Sequence, residues 1–254
     1  MTFDVAADSY DRFMGRYSQP LAVELADAAG ISAGQRALDV GCGPGALTAV
    51  LVSRLGADAV AAVDPSEPFV AAARSRLPGV DVRRAVAEDL PFPDSTFDAT
   101  LAELVVHFMT DPVAGLREMA RVTRPGGTVA ACVWDLAGKE NPLATFWAAV
   151  RDLHPAATDE SGLAGARDQQ LVELATSAGL QDVTQSVLTV SVRYESFEEW
   201  WQPFTLGVGP SGSYVTGLDE VRRDALRDHC AQLLPEAPFD IVARAWCVRC
   251  RVGA

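Results

Sequence analysis

The sequence is poor in the features that would place it in a membrane, on a nucleic acid or outside the cell. No stretch of its 254 residues is long and uncharged enough to span a bilayer. The run Met1-Thr2-Phe3-Asp4-Val5-Ala6-Ala7-Asp8 lacks the basic start and apolar segment of an export signal. Basic residues are scarce, 21 against 34 acidic ones, which leaves a net charge of −13. That balance argues against a nucleic-acid partner, which needs a surface that neutralises phosphates, and against anionic membranes. Five cysteines without an export signal read as free thiols in a reducing cytoplasm. Cys247-Val248-Arg249-Cys250 lies in a strand-like stretch, where positions three apart face opposite ways. Without a second pair or nearby histidines it makes a poor zinc site, so no metal is expected. A small molecule is the expected partner, and no oligomeric state can be read.

What the chain does have is a turn. In Ala37-Leu38-Asp39-Val40-Gly41-Cys42-Gly43-Pro44-Gly45-Ala46-Leu47-Thr48 an apolar strand ends in glycines and opens directly into a helix. Glycines let the backbone approach a ligand closely, and the uncapped amides of the helix start favour a polar or anionic group. A second apolar strand closes on Asp64, where a ribose-binding carboxylate sits in nucleotide-binding α/β units. The pairing points to an adenosine-containing cofactor.

Gly41-x-Gly43-x-x-Ala46 can be fitted to the dinucleotide fingerprint of an NAD-dependent oxidoreductase, a weak signal by itself. Asp39, two positions before the first glycine, and the third glycine at Gly45 speak against it. The pattern hydrophobic-acidic-hydrophobic-G-x-G-x-G instead resembles the first motif of the class I S-adenosylmethionine-dependent methyltransferases. That cofactor carries an ammonium and a sulfonium but no phosphate. Ala87-Glu88-Asp89-Leu90-Pro91-Phe92-Pro93-Asp94-Ser95-Thr96-Phe97-Asp98 is similar to a segment of the ubiquinone/menaquinone-type branch. Leu104-Val105-Val106-His107 and Arg124-Pro125-Gly126-Gly127 resemble its next landmarks. The resemblance covers residues 35–135.

It implies an α/β fold with a Rossmann-like seven-stranded sheet, order 3-2-1-4-5-7-6, mostly parallel with the seventh strand antiparallel. The alternation of strands and helices read from the residues agrees, with strands near 37–41, 59–64, 82–87, 97–103 and 128–134. Helices are expected near 45–55, 67–77 and 112–123, with Pro-Gly-Gly after Arg124 ending the last. Residues 1–36 form an expected helical segment over the cofactor site, and 37–195 with 236–254 the methyltransferase domain. Residues 196–235 are too long for a structureless connection and read as an inserted cap between strands six and seven. Its aromatics either shape an acceptor site or merely form the insertion's own core.

Asp64, with Pro65 beside it, is expected to accept from the ribose hydroxyls. Asp39 is expected to orient the cofactor's methionine end, and Gly41 and Gly43 to allow close approach. Cys42 fills the turn. The resemblance places Ala102 beside the methionine portion and the backbone near Ala87 and Glu88 against the adenine ring. Where the family often has an aspartate before Ala87, this chain has Val86, so Glu88 or Asp89 must supply that acceptor. Tyr10 and Tyr17 either roof the pocket or pack a helix. Trp134 and Trp201 are candidates to touch substrate. His107, after strand four, is either a base or a structural side chain. The expected activity is methyl transfer to a small, apolar or aromatic acceptor. The alternatives are NAD-dependent oxidation and a role that binds the methionine cofactor without methylating.

Overall fold

The protein is described by a computed structural model that covers residues 7–253. The first six residues of the expected amino-terminal segment lie outside the described residues. A nearly continuous helix opens the chain: α1 (Ala7–Tyr10), a π-helical turn (Asp11–Gly15) and α2 (Arg16–Ala29). Leu21, Ala22, Leu25 and Ala26 recur at helical spacing, so α2 presents one apolar stripe, and all four are fully buried. Gly30 ends it at φ +72°, the left-handed conformation that a helix stop requires.

Seven strands follow the order β3-β2-β1-β4-β5-β7-β6, as expected. They are β1 (Ala37–Val40), β2 (Val60–Asp64), β3 (Asp81–Arg84), β4 (Phe97–Glu103), β5 (Thr123–Trp134), β6 (Gln181–Tyr194) and β7 (Phe239–Arg251). β1 to β5 pair in parallel, whereas β7 runs antiparallel to both β5 and β6. Every residue of β1 and β2 is buried, as a parallel sheet covered on both faces demands. Only Val82 is buried in β3, the edge strand, which stops at Arg84 rather than near residue 87. Residues 85–88 are thereby released as a loop at the carboxyl end of the sheet.

Helices α3 (Ala46–Leu55), α4 (Glu67–Arg76) and α5 (Pro112–Val122) connect these strands within a residue or two of their expected bounds. In α5, Pro112 occupies the first turn and the Asp111 carboxylate accepts from the Ala114 amide at 3.0 Å, a paired start signal. The Arg124-Pro125-Gly126-Gly127 stop behaves differently from its expected role. Pairing with β4 jumps from Phe97–Thr123 to Ala99–Thr128, so the four residues form a bulge inside β5 rather than a free turn.

The sheet separates two cores. Ala37, Leu101 and Cys132 face the side covered by α2 and α3, and Leu38, Ala102 and Val133 face the side covered by α5 and α7 (Gln170–Ser177). Cys247 and Cys250 fall in different cores, as period-two alternation requires, and no metal-binding cluster occurs among the described residues. α6 (Ala144–Leu153) precedes α7. Between β6 and β7 the chain forms α8 (Phe197–Trp201), a 3-10 turn (Gln202–Leu206), α9 (Gly209–Thr216) and α10 (Glu220–Leu233). No helix among the described residues is long and apolar enough to cross a membrane.

Candidate active site

The turn after β1 is held by its neighbour strand. Gly41 and Cys42 both donate their amides to the Val63 carbonyl, at 2.8 and 2.9 Å. Gly41 has φ +74°, and a Cβ there would run into the Val105 side chain, so glycine is needed on both counts. Gly43, at φ +52°, has open space where its side chain would be. The Asp64 carboxylate then ties two loops together. One oxygen accepts from the Gly43 amide at 2.9 Å and the other from the Ser66 amide at 2.8 Å. Each oxygen keeps a second lone pair for a ligand. Burial raises the Asp64 carboxyl, and the two amides draw it back down.

A cavity of about 400 Å³ lies over the carboxyl ends of β1, β2 and β4. It sits where the strand order reverses, the position at which open α/β sheets bind ligands. Gly41, Gly43, Asp64, Pro65, Ala87 and Glu88 line it, and so does Tyr10. Asp39 and Cys42 line a crevice under the glycine turn that shares Tyr10, Gly41, Gly43 and Glu103 with the main cavity. The Cys42 thiol is pushed well above its ordinary range by burial, which makes it packing rather than a nucleophile.

Two carboxyls dominate the electrostatics. Asp39 is fully buried; one oxygen accepts from the Thr48 hydroxyl at 2.6 Å and the other has no partner. Burial pushes it up to about 7. Glu103, also buried, has an oxygen without a partner and is raised by burial and by the charge of Asp39. No metal cluster gathers around them among the described residues. Buried unpartnered carboxylates are costly, and a bound organic cation would relieve both.

Glu103 was missed in the sequence, although it is the one acid in the apolar stretch from Ala99 to Val106. Ala102, the residue expected there, points the other way into the core on the α5 side. Glu103 and Leu104 line the cavity in its place, because adjacent strand residues face opposite sides. At the end where the adenine ring was expected, Glu88 lines the cavity, while one of its oxygens accepts from the Thr110 and Asp111 amides at 2.7 and 3.1 Å. Asp89 does not line it. Val86 does, and is 47% exposed, so an apolar side chain stands at the rim.

A second, smaller cavity adjoins the first across Tyr10, Leu104 and Phe108, which line both. His107, Trp134 and Glu160 belong to it, with Val208–Ser211 of the insertion. His107 is buried, with Nδ1 unpartnered, and burial pushes it down to about 3. It is a neutral imidazole and a weak base. Tyr17, a candidate for the pocket roof, and Trp201, a candidate to touch substrate, are elsewhere. Tyr17 is buried beneath the sheet's end, accepting from the Tyr194 hydroxyl at 2.9 Å, and lines neither cavity. Trp201 packs with Phe197 and Phe204 and also lines neither. A large apolar ring gains more from a closed core than from a wet cleft, so Trp201 fills the core of the insertion and Tyr17 packs against Trp134.

Residues 38–131 match the family model described as a methyltransferase domain. An uncharacterized methyltransferase of Mycobacterium tuberculosis is 38% identical over 135 residues, covering 53% of this chain and 52% of that protein. A demethylmenaquinone methyltransferase of a Mycobacterium species (strain KMS) is 40% identical over 134 residues, covering 52% and 53%. The chain thus spans about half the length of the curated relatives it matches. The fold is shared with the solved structure of a Haemonchus contortus phosphoethanolamine N-methyltransferase in complex with S-adenosylhomocysteine. That likeness has a TM-score of 0.60 at 18% identity, over 98% of this chain and 57% of the other. None of these is an oxidoreductase.

Proposed function

We propose that this chain, with a methyltransferase domain over residues 38–131, moves a methyl group from S-adenosylmethionine to a small acceptor. The observation that carries the reading is the pair of buried, unpartnered carboxyl oxygens on Asp39 and Glu103 beside the glycine turn. Among the described residues the cavity offers them no metal site, and a ligand with a cationic amino-acid end satisfies both. An NAD pyrophosphate would instead meet two buried acids, an arrangement that repels it.

The residues fit the group. Asp64 offers free lone pairs for ribose hydroxyls while its amide bonds fix its rotamer. Gly41 and Gly43 keep the strand end open to close approach. The loop at 85–88 carries the adenine edge, with Glu88 supplying the acceptor that Val86 cannot. When bound, the cofactor supplies an electrophilic methyl on sulfur. The chain's part is to orient that methyl toward the second cavity and to exclude water around it, and positioning of this kind supplies much of the acceleration in a displacement. The acceptor is a small molecule that enters against Tyr10, Leu104 and Phe108, the wall shared by both cavities.

Calorimetry tests the reading. S-adenosylhomocysteine should bind and NAD should give no heat of binding. Binding of NAD without binding of S-adenosylhomocysteine would overturn it.

A further inference from the structure

Glu160 stands apart from everything the glycine turn explains. It lies in a short turn (Glu160–Gly162) after α6, is only 6% exposed, and lines the second cavity. One carboxylate oxygen accepts from the indole N–H of Trp147, itself buried, at 2.8 Å. No ion pair reaches Glu160 among the described residues; the nearby Arg151 is taken by Asp159 at 2.8 Å. Three more polar atoms of the lining are buried without a partner: His107 Nδ1, Trp134 Nε1 and Ser211 Oγ. Four elements distant in sequence thus converge on one otherwise apolar space, each with a polar group unsatisfied or half-satisfied.

The types of group decide what fits. The Trp134 indole only donates, so it needs a lone pair on the ligand, and the Glu160 carboxylate only accepts, so it needs a proton. A neutral amine, the form that attacks a methyl, has a single lone pair, which cannot both accept from the indole and form the new bond. A hydroxyl has two lone pairs and a proton, enough for the indole, the methyl and the carboxylate together.

We propose that the second cavity takes the hydroxyl end of a small alcohol or phenol, and that Glu160, not His107, receives its proton during methyl transfer. This rests on the function proposed above. The hydroxyl oxygen forms its bond to the methyl carbon as the carbon–sulfur bond breaks, the electron pair leaving with sulfur. The O–H proton passes to the carboxylate, giving an ether, S-adenosylhomocysteine and a neutral Glu160. Burial, opposed by the Trp147 bond, lifts Glu160 to about 7, the range in which a general base works best near neutral pH. The other titratable groups lining the cavity are His107, held neutral by burial, and Tyr10, raised out of range. Asp159, next in sequence and paired with Arg151, adds to the lift on Glu160.

The test uses the full chain with S-adenosylmethionine and two matched probes, 4-methylphenol and 4-methylaniline. Release of S-adenosylhomocysteine is followed from acid to alkaline pH, and calorimetry follows 4-methylphenol binding to protein loaded with S-adenosylhomocysteine. The expected result is methylation of the phenol and not the aniline, with a rate that falls below about pH 7. Glu160→Gln keeps the acceptor for the Trp147 N–H and so keeps the fold. It should slow the reaction about 100-fold and abolish the acid limb, with cofactor affinity unchanged. His107→Gln should keep the limb. The proposal is overturned if Glu160→Gln retains the limb, if His107→Gln removes it, or if the aniline is preferred. It is equally overturned if loaded protein neither binds nor methylates the phenol. Failure of the wild-type chain to bind S-adenosylhomocysteine would instead overturn the function proposed above.

Discussion

The sheet from β1 to β5 and the helical region made by α6 and α8 to α10 use their most conspicuous residues in opposite ways. In the first region the conspicuous residues are glycines and acids, and they face the cavity. In the second they are aromatics, and they face each other. Phe146 stacks on Phe204 at 4.6 Å, Phe204 meets Trp200 at 4.8 Å, and Trp200, Trp201 and Phe204 are all buried. The insertion touches the second cavity only through Val208, Gly209, Pro210 and Ser211, a plain stretch beside its aromatic core. Residues that fit poorly into a core, such as unpaired carboxyls and bare backbone, mark function here, and residues that fit well mark stability.

The largest effect should come from testing the aromatic side of this contrast. Trp201→Ala removes a core ring, which typically costs about 3–5 kcal/mol. Thermal unfolding should show a large fall in Tm, whereas S-adenosylhomocysteine affinity measured well below that temperature should stay close to wild type. A normal Tm with selective loss of acceptor binding would place the ring in the site instead.

Asp64→Ala tests the other side. Loss of hydrogen bonds from a charged group costs about 1.5–3 kcal/mol, so the cofactor should bind roughly 10- to 100-fold more weakly. Because the side chain also holds the Gly43 and Ser66 amides, a modest drop in Tm should accompany it. An unchanged dissociation constant would separate Asp64 from the ligand.

The smallest effect concerns the rim. Val86→Asp adds a second acceptor at the end of the cavity proposed for adenine, and one hydrogen bond is worth about 0.5–1.5 kcal/mol, so affinity should rise by no more than about tenfold. Weaker binding would mean that the adenine ring lies against the valine.

The same contrast explains what the sequence disclosed. The strand order came with the family resemblance, whereas the α3 to α5 boundaries and the places of Gly41, Gly43 and Asp64 along the cavity were legible because local spacing determines them. Helix starts such as Asp111-Pro112 and the glycine turn carry their chemistry within a few residues. Ala102 was placed on the wrong face because a single position along a strand reverses the side chain, and Glu103 took the site. Tyr17 was a candidate from its place in the amino-terminal segment and Trp201 from its place in the insertion, and only tertiary packing decides whether a ring in such a segment meets ligand or core. Glu160 gave no local signal: Asp159-Glu160-Ser161-Gly162 reads as a solvated loop until Trp147 and the second cavity are seen around it.

The pH dependence of the ligand-free protein follows from the buried acids. Asp39 lies at about 7 when folded against an ordinary value of 3.8, and Glu103 is raised too, so the folded chain holds protons that the unfolded chain has released. The Asp39 contribution to stability should therefore fall as pH rises from about 4 to about 7, by linkage, and Glu103 acts in the same direction. A bound ammonium favours the ionised forms and must expel those protons. The most direct measurement is calorimetric titration of the wild-type chain with S-adenosylhomocysteine on either side of pH 7, in buffers of different ionisation heat. The account predicts proton release on the acid side and tighter binding on the alkaline side. Binding with no proton release and no change in affinity across that range would contradict it.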